Sequence, residues 1–565
     1  MYWNHLPKQA LPFTAFVLSA LSAASATLHT QANVPVEISF TAEGPHPDPF
    51  NEITLDVTFV DPSGALRKVP AFWARGQDWK ARYASPLIGT HRWRSECSDS
   101  NDAGLHGVEG ALEISAYSGE NPLFRHGQIR IAPDKRHLEH ADGTPFFWLG
   151  DTWWMGLCHR LRWPEEFQEL AADRRAKGFN VIQIVAGLYP DMFPFDPRGA
   201  NESGYPWQTN YTRIRPEYFD AADQRLRYLV DEGFTPCIVG AWGYFMPWMG
   251  VEKLKKHWRY LIARYGCWPV VWCAAGEANL PWYLAKGFPY DDRAQVHDWT
   301  EVMRFIRATD SFHRPLTIHP TGIGRLSARN ATDDLSLLDI DMLQTPHGQR
   351  EAVAPTVRTV RESYSDKPVM PVINGEAAYE MLFDKIPAQW PRAMFWVCMM
   401  NGAAGHTYGA NGIWQLNRHG QPHGASPNGS GNGYGVITWD EAMRLPGSEQ
   451  VAFGKKFLES IPWTKLKPMS ASAAWTNRAD KPVVGPQACG IGDRLRVVYA
   501  LDARPVVVSS LGSNAKYSVT RFDPMLGMRT REGEVQTTAN GTAQFAAPSH
   551  GHDWVLLLER NQEHP

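Results

Sequence analysis

Residues 164–185 read PEEFQELAADRRAKGFNVIQIV, a helical pattern that ends at a glycine and leads into an apolar strand. Pro164 stands where a first helical turn begins, and Phe167 and Leu170 share one apolar face. Gly178 ends the helix, because glycine adopts the backbone conformation of a helix C-terminus without strain. The segment therefore predicts a crossover helix followed by a strand of a parallel sheet.

The same unit recurs twice further along the chain. Helical patterns that include Phe219–Leu229 and Trp258–Ile262 each end at a glycine and lead into the apolar strands Pro236–Val239 and Val270–Cys273. With Asn180–Val185 these make three strands of the series. Five more are expected at Phe146–Leu149, Leu316–His319, Asp341–Gln344, Val369–Ile373 and Ala404–Thr407.

Eight such strands within residues 121–462 predict a (β/α)8 TIM barrel as the central domain. The alternative is an open doubly wound sheet, which usually has a Gly-rich turn after its first strand. Here that position reads Gly-Asp-Thr-Trp-Trp, residues 150–154, which favours the barrel.

The two flanking regions have a different pattern. Residues 33–118 and 465–560 alternate between apolar and polar side chains in short runs, as in Ile53–Phe59 and Leu495–Ala500. This alternation is typical of half-buried strands in antiparallel sheets. We expect an N-terminal Ig-like β-sandwich and a C-terminal β-sandwich on either side of the barrel.

Residues 1–26 resemble a secretory signal. Lys8 supplies a positive charge, Leu11–Leu21 is a short apolar run, and Ala24–Ala26 is a small-residue cleavage site. The alternative is a disordered leader. A removable signal predicts a protein that is secreted or periplasmic and has no membrane partner once the signal has been removed.

The composition of the 565-residue chain narrows the function classes. The charges nearly balance, at 56 basic and 59 acidic residues, so no nucleic-acid partner is expected. There is no His-Glu-x-x-His motif, no Gly-rich phosphate loop and no zinc-like cysteine spacing, so we predict neither a metal nor a cofactor. Aromatic residues reach 12%, which is compatible with a large core but also with a cleft that binds an oligosaccharide or polysaccharide.

Two glutamates are the candidate catalytic residues. Active sites of such barrels lie at the carboxyl ends of the strands, where Glu277 follows strand four and Glu376 follows strand seven. These strands face each other, so the carboxyls could approach to about 5–5.5 Å, as in retaining glycoside hydrolysis. By strand order we assign Glu277 as acid/base and Glu376 as nucleophile. In the alternative, each glutamate forms an ion pair with an arginine at a strand end.

Other polar and aromatic residues near the strand ends are candidates for substrate binding. For several of them a structural role is an open alternative: Asp151 could cap a turn, the histidines could form structural hydrogen bonds, and each tryptophan could belong to the core. His406 and Tyr408 could instead orient Glu376. The full set is Asp151, Trp153, Trp154, Gln183, Trp242, Tyr244, Asn279, His319, His347, His406, Tyr408 and Trp414.

Four segments together resemble the apiosidase-like glycoside hydrolases: Phe147–Trp154, Gly178–Gln183, Gly276–Asn279 and Asn374–Glu376. The resemblance covers about 330 residues. It implies a (β/α)8 catalytic domain and a retaining mechanism, with the acid/base and nucleophile at Glu277 and Glu376. One departure is Gly276, because many retaining barrels have asparagine immediately before the acid/base.

The tail is similar to a small β-domain that follows such enzymes and is described as collagen-binding. The similarity lies in Phe522–Pro524 and Asp553–Leu556, but Met525 and Leu526 replace the expected arginine-containing turn. The first β-region likewise resembles an N-terminal β-sandwich found with these enzymes. A binding role for the tail, in a matrix-binding or proteolytic protein, is a third hypothesis, although the tail has no protease motif.

The sequence therefore predicts an exported retaining glycoside hydrolase that acts on a polysaccharide or its side chain. The alternative is a non-catalytic carbohydrate-binding protein that keeps the barrel as a scaffold.

Overall fold

The computed structural model describes residues 27–280, 292–322, 324, 326–427, 433–476 and 484–561. The predicted signal, residues 1–26, lies outside the described residues. No helix in the described ranges is both long enough and apolar enough to cross a membrane. All seven cysteines are buried and free.

The N-terminal region contains two β-sheets. One has the order β1-β8-β7-β3-β4 and the other β2-β6-β5, with a short helix α1 between β2 and β3. In β7, every second residue is buried, which is the pattern of a strand with one face in a core. The elements are β1 (Leu28–Gln31), β2 (Val36–Thr41), α1 (Pro49–Glu52), β3 (Leu55–Val60), β4 (Leu66–Pro70), β5 (Phe72–Arg75), β6 (Asp78–Tyr83), β7 (Gly89–Cys97) and β8 (Glu109–Ser115).

A short connecting region leads into the barrel. After helix α2 (Pro122–Arg125), three strands form a small antiparallel sheet of order β11-β10-β9. Phe146, which we expected in the first barrel strand, pairs with Leu138 in this sheet instead. These strands are β9 (Ile129–Ile131), β10 (Leu138–His140) and β11 (Pro145–Phe146).

The central region is a nearly closed parallel barrel of eight strands, which confirms the predicted fold class. The strand order is β16-β15-β14-β13-β12-β19-β18-β17, and every paired strand is parallel to its neighbour. The strand order begins at β16 and ends at β17. Next to these two strands the backbone N–H of Asp339 donates to the carbonyl oxygen of Leu316 at 2.9 Å. The strands are β12 (Trp148–Thr152), β13 (Val181–Val185), β14 (Thr235–Val239), β15 (Val271–Cys273), β16 (Leu316–Thr317), β17 (Asp341–Gln344), β18 (Val372–Glu376) and β19 (Gly405–Tyr408).

Helices on the outside connect these strands. Helix α3 ends at Gly178, whose φ of 89° is the left-handed conformation expected of that glycine. The helices are α3 (Glu165–Lys177), α4 (Pro216–Asp231), α5 (Met246–Tyr265), α6 (Asp292–Thr309), α7 (Arg350–Ser365), α8 (Gln389–Met400), α9 (Trp439–Met443) and α10 (Pro446–Glu459).

Two barrel strands begin later than expected, with consequences for the site. The first runs from Trp148 to Thr152, so Asp151 lies within a strand and not after it. The seventh begins at Val372, after Pro371, which has no N–H to donate to a neighbouring strand. Glu376 is therefore the last residue of β18.

The tail again forms two sheets, of order β20-β22-β23-β28-β25-β26 and β21-β24-β27. Helix α8 of the barrel packs against this region: Trp396 stacks on Tyr499, and Arg392 forms a buried ion pair with Asp553. The strands are β20 (Lys467–Pro468), β21 (Ala473–Trp475), β22 (Gln487–Ile491), β23 (Leu495–Ala500), β24 (Val506–Val508), β25 (Lys516–Asp523), β26 (Met528–Gln536), β27 (Ala543–Phe545) and β28 (Trp554–Arg560).

Candidate active site

The two predicted catalytic carboxylates meet at the carboxyl end of the barrel. The side-chain amide of Gln344, the last residue of β17, lies between them. Its Nε2 donates to Oε1 of Glu277 at 3.1 Å and to Oε1 of Glu376 at 3.2 Å. The two oxygens can therefore be no farther apart than the sum of these distances. The two carboxyl groups therefore share one hydrogen-bond donor and face the same space.

The backbone at Glu277 explains why glycine precedes it. A Cβ on Gly276 would lie 2.2 Å from the indole ring of Trp242, so only glycine lets that ring pack against the chain here. Glu277 itself has a φ of 43°, an uncommon left-handed conformation for a residue with a side chain. The result is that Trp242 Nε1 donates to Oε2 of Glu277 at 3.3 Å.

The environment of Glu277 favours its protonated form. Loss of hydration is the largest effect, the negative charge of Glu376 is the next, and together they raise the pKa of Glu277 to about 8. Its two hydrogen-bond donors, Gln344 and Trp242, are uncharged and lower the pKa less. With its pKa at about 8, because burial and Glu376 oppose ionisation, this carboxyl is mostly protonated at neutral pH.

The environment of Glu376 favours its ionised form. Burial alone would raise its pKa, but hydrogen bonds and charge from His319 and His347 outweigh that effect and hold the pKa at about 2. Nε2 of His347 lies 2.8 Å from Oε1, and Nε2 of His319 lies 3.3 Å from Oε2. Both histidines therefore contact the predicted nucleophile. The alternative in which each glutamate pairs with an arginine does not describe this site.

Aromatic side chains line the same space. Trp154 packs edge-on against Trp242 and His319, with ring centroids 5.4 and 5.5 Å apart, and its Nε1 donates to the hydroxyl of Tyr379 at 3.1 Å. Trp414 lies 6.4 Å from Tyr379 between ring centroids. Nε1 of Trp414 is buried and has no hydrogen-bond partner among the described residues.

Four residues at this site were not predicted from the sequence: Gln344 as a bridge, Tyr379, Asp191 and Tyr434. The ring of Tyr379 lies 4.8 Å from that of His347, and burial, followed by the charge of Glu376, raises the pKa of Tyr379 well above its ordinary value. Tyr379 is three positions after Glu376, and a search of the residues following each candidate carboxylate could have found it.

Asp191 is a third carboxylate near the pair. Oδ1 of Asp191 accepts hydrogen bonds from Ser426 at 2.6 Å and Tyr434 at 3.1 Å. Burial is the main effect that raises its pKa to about 6, and the charge of Glu376 contributes. These residues come from the loop after β13 and from the long Gly- and Asn-rich loop after β19, so no local motif joins them.

Several predicted substrate-binding residues form internal contacts with neighbouring elements. Asp151 is fully buried, and its Oδ2 accepts from Arg174 Nε at 2.6 Å and from Trp153 Nε1 at 2.7 Å. Trp153 is also fully buried and packs edge-on against Phe167. Neither residue offers surface to a sugar, because β12 extends through Asp151 and turns its side chain toward the α3 helix.

Gln183, Tyr244 and Asn279 likewise form internal hydrogen bonds. Gln183 donates to the backbone of Gly375 at 3.0 Å and accepts from Thr407. Tyr244 donates to the backbone of the loop after β13, and Asn279 accepts from the backbone N–H of Thr321 at 2.8 Å. All three are buried, and these hydrogen bonds connect strands and loops.

The two residues of β19 do not orient Glu376. The hydroxyl of Tyr408 donates to Oε2 of Glu380 at 2.6 Å. His406 packs edge-on against Phe395, and burial lowers its pKa to about 3. Both side chains belong to the core beneath the site.

Comparison with protein families identifies the central and N-terminal regions. Residues 132–465 match the family described as apiosidase-like, catalytic domain. Residues 31–98 match a domain of unknown function, DUF5060. A search of curated protein sequences found no relative.

Solved structures share the fold. A protein described as a glycoside hydrolase aligns over 78% of this chain and 98% of its own, with 24% identity and a TM-score of 0.64. A glycoside hydrolase family 5 protein from Bacteroides vulgatus ATCC 8482 aligns over 78% and 95%, with 22% identity and a TM-score of 0.64. A third structure, from the same organism, covers 95% of this chain and 100% of its own, with 17% identity and a TM-score of 0.67.

Proposed function

This chain belongs to the apiosidase-like family, and from that premise we propose that it is an exported glycoside hydrolase that cleaves glycosidic bonds with retention of configuration. The observation that carries the proposal is the geometry of Glu277 and Glu376, which share the side-chain amide of Gln344 at 3.1 and 3.2 Å and have opposite shifts in pKa. The pKa of Glu277 is raised to about 8, mainly by loss of hydration and by Glu376. The pKa of Glu376 is held at about 2, because hydrogen bonds from His319 and His347 outweigh its burial.

The proposed first step uses both ionisation states. The carboxylate of Glu376 attacks the anomeric carbon while the bond from that carbon to the leaving oxygen breaks. Glu277 gives its proton to the leaving oxygen and becomes a carboxylate. The sugar is then held as an ester of Glu376.

The second step reverses the roles. The Glu277 carboxylate takes a proton from a water molecule, whose oxygen attacks the same anomeric carbon and releases Glu376. Two displacements at one carbon retain its configuration. The shared contact of both carboxylates with Gln344 is compatible with the ~5–5.5 Å separation of retaining enzymes.

The walls of the site support a carbohydrate substrate. The rings of Trp154 and Trp242 pack against each other beside the two glutamates, and the unbonded Nε1 of Trp414 can donate to a hydroxyl. We propose an oligosaccharide or polysaccharide as the substrate. Export rests on the signal-like pattern of residues 1–26, and the mass of the mature chain recovered from the native host would test it by showing whether that segment has been removed.

The nucleophile assignment is tested by Glu376→Ala on a panel of aryl glycosides. We expect kcat to fall by at least about 10⁴-fold, because the covalent step is lost. Added azide should restore turnover and give a glycosyl azide of inverted configuration, since azide attacks from the face that Glu376 occupied.

The matched control is Glu380→Gln. Glu380 is also a buried carboxyl beyond β18, but it bonds to Tyr408 and to the backbone of Gly447, away from the predicted nucleophile. This variant should keep kcat within a few-fold of the unmodified enzyme. Full activity in Glu376→Ala would refute the assignment, and glycan binding without hydrolysis by the unmodified chain would favour the binding-protein alternative.

A further inference from the structure

Two exposed apolar side chains lie in neighbouring loops of the barrel and have no part in the proposed hydrolysis. Phe383, between β18 and α8, is 46% exposed, and Val436, between β19 and α9, is 64% exposed. Together with Phe193, after β13, they are the exposed large apolar side chains of the described part of the barrel, and all three follow the carboxyl ends of strands. Single exposed apolar side chains are ordinary, whereas a group of them beside a site indicates a binding surface. We call Phe383 and Val436 the rim pair.

Backbone contacts join the two loops that carry the rim pair. The N–H of Phe383 donates to the carbonyl oxygen of Tyr434 at 2.6 Å. The N–H of Val436 lies 3.3 Å from each carboxylate oxygen of Asp384. A Cβ on Gly435 would lie 2.5 Å from Oδ1 of Asp384, so only glycine allows the loops to approach this closely. The rim pair therefore lies on one surface that both loops form.

The turn that carries Phe383 has a strained backbone. Met381, Phe383 and Asp384 have φ values of 58°, 55° and 56°, a left-handed conformation that residues with side chains seldom adopt. Strain of this kind persists only where surrounding contacts fix it, and it is found often at ligand-binding sites. Leu382 in the same turn is buried, so the turn anchors one apolar side chain in the core and leaves the next one at the surface.

Side-chain amides fix both loops from neighbouring segments. Nδ2 of Asn417 donates to the carbonyl oxygen of Gly435 at 3.0 Å. Nε2 of Gln349, at the start of α7, donates to the carbonyl oxygen of Lys385 at 3.3 Å. A surface that is already ordered loses little conformational freedom when a ligand binds to it.

A row of aromatic rings connects the rim pair with the candidate active site. The ring of Phe383 lies 5.5 Å from that of Tyr434, which lies 5.1 Å from that of Trp414. Trp414 lies 6.4 Å from Tyr379, and Tyr379 lies 4.8 Å from His347, the histidine whose Nε2 contacts the predicted nucleophile. The rim pair is therefore continuous with the residues around that carboxylate.

We propose that the rim pair binds a sugar unit of the substrate other than the unit that the predicted nucleophile attacks, an inference that rests on the proposed function. The C–H face of a sugar ring is apolar and packs on an aromatic ring, while its hydroxyl groups remain in water. Phe383 has such a ring and no polar group. Glu376 is buried, whereas Phe383 is exposed, so the two suit different units of one chain. The preferred substrate is then a chain of at least two sugars.

The test measures binding of polysaccharides to the full chain that carries Glu376→Ala, in which turnover does not interfere. Native electrophoresis in gels that contain xylan, glucomannan, pectin or mixed-linkage β-glucan gives the affinity from the loss of mobility. At least one of these polysaccharides should retard the chain. Adding Phe383→Ala should weaken that binding by at least about fivefold, and adding Phe383→Tyr, which keeps the ring, should change it by less than about twofold.

Met528→Ala in the same background is the matched control. Met528 is 60% exposed on β26 of the tail, so its loss removes a similar apolar surface away from the barrel and should leave binding unchanged. Circular dichroism checks that each variant is folded. Absence of retardation by all four polysaccharides, or equal affinity in folded Phe383→Ala, would overturn the inference. A dimer of the unmodified chain that Phe383→Ala dissociates in ultracentrifugation would assign the rim pair to self-association and would also overturn it.

Hydrolysis by the unmodified chain is measured separately on the same polysaccharides and on the aryl glycosides. Binding that depends on Phe383, without hydrolysis of any of them, would support the rim pair as a sugar-binding surface and contradict the proposed function. Hydrolysis with binding that does not depend on Phe383 would have the opposite meaning.

Discussion

Polar side chains lie at or just after the carboxyl ends of two pairs of barrel strands, β15 with β18 and β12 with β19. The two pairs differ in what these side chains contact. At the first pair, Glu277 and Glu376 face a shared space and one amide. At the second pair, Asp151 contacts Arg174 at 2.6 Å, and Tyr408 contacts Glu380 at 2.6 Å. The difference lies in the partner of each acid, not in the type of residue at the strand end.

A permanent cation and an uncharged donor have different effects on a carboxyl group. Arg174 keeps its charge at any ordinary pH, so Asp151 is an ion-pair partner and a structural element. Glu277 accepts hydrogen bonds from the uncharged side chains of Gln344 and Trp242. Its burial and the negative charge of Glu376 oppose its ionisation, and they outweigh these hydrogen bonds. An acid of the second kind can exchange its proton near neutral pH, as a general acid must.

The largest effect that tests this comparison is expected for Glu277→Gln. The variant cannot protonate a leaving oxygen, so kcat/KM for a glycoside with a poor leaving group should fall by about 10²–10⁴-fold. A dinitrophenyl glycoside, whose leaving group needs little protonation, should lose much less. The measurement is the ratio of kcat/KM for the two substrates in variant and unmodified enzyme.

The pH profile provides a second measurement on the same variant. In the unmodified enzyme, activity should decline as the pH rises through about 8, because solvent exclusion and Glu376 place the pKa of Glu277 there and only its protonated form donates. Glu277→Gln should lack this alkaline limb. Equal loss on both substrates, with the limb retained, would assign the acid role to another residue.

Much of the fold could be predicted from local pattern. The helix that ends at Gly178 and the strands β13, β14 and β15 follow from apolar periodicity and a glycine stop. The bounds of β12 could not be predicted, because the residues 146–152 are apolar enough to extend in either direction. Pairing of Phe146 with Leu138 decides the start of that strand, and this is a tertiary contact.

A moderate effect on stability is expected when the ion pair between Asp151 of β12 and Arg174 of α3 is broken. Arg174→Met leaves the Asp151 carboxylate buried without its cation, which should reduce the free energy of unfolding by about 3–5 kcal/mol. The double variant Asp151→Asn, Arg174→Met should recover part of that loss. Denaturant unfolding of the two variants measures the difference.

The same variants test whether Asp151 and Arg174 act only on stability and not on catalysis. The folded fraction of each should keep kcat within a few-fold of the unmodified enzyme, since neither side chain reaches the site. A loss in the folded double variant comparable to that of Glu376→Ala would place Asp151 in the chemistry.

Residues of the site could be predicted only where a local sequence feature marked them. Glu277 and Glu376 each follow a glycine at a strand end, and that local feature was sufficient to select them. Asp191, Tyr434 and Ser426 come from loops more than 200 positions apart, and only the closed barrel brings them together.

The smallest effect concerns stability, and it has opposite signs at the two glutamates. The pKa of Glu277 in the folded chain, raised to about 8 by solvent exclusion and Glu376, exceeds the ordinary value of about 4.3 expected when unfolded. Between these values the folded chain holds the proton more often, so the free energy of unfolding falls as pH rises. Glu277→Gln has no carboxyl to ionise, so it lacks this loss of free energy of unfolding. The variant should have a melting temperature a few degrees higher than the unmodified enzyme at pH 8 but not at pH 4.

Glu376 should behave in the reverse way. Its hydrogen bonds from His319 and His347 outweigh burial and hold its pKa at about 2, below the ordinary value, so its ionised form contributes stability above about pH 4.3 that is lost as the pH falls toward 2. Glu376→Gln should therefore lower the melting temperature at pH 8. Thermal unfolding of both variants between pH 4 and pH 8 checks the two signs. A shift in the same direction for both variants at pH 8 would mean that the two carboxyls share one environment, and would remove the electrostatic basis for giving them different roles.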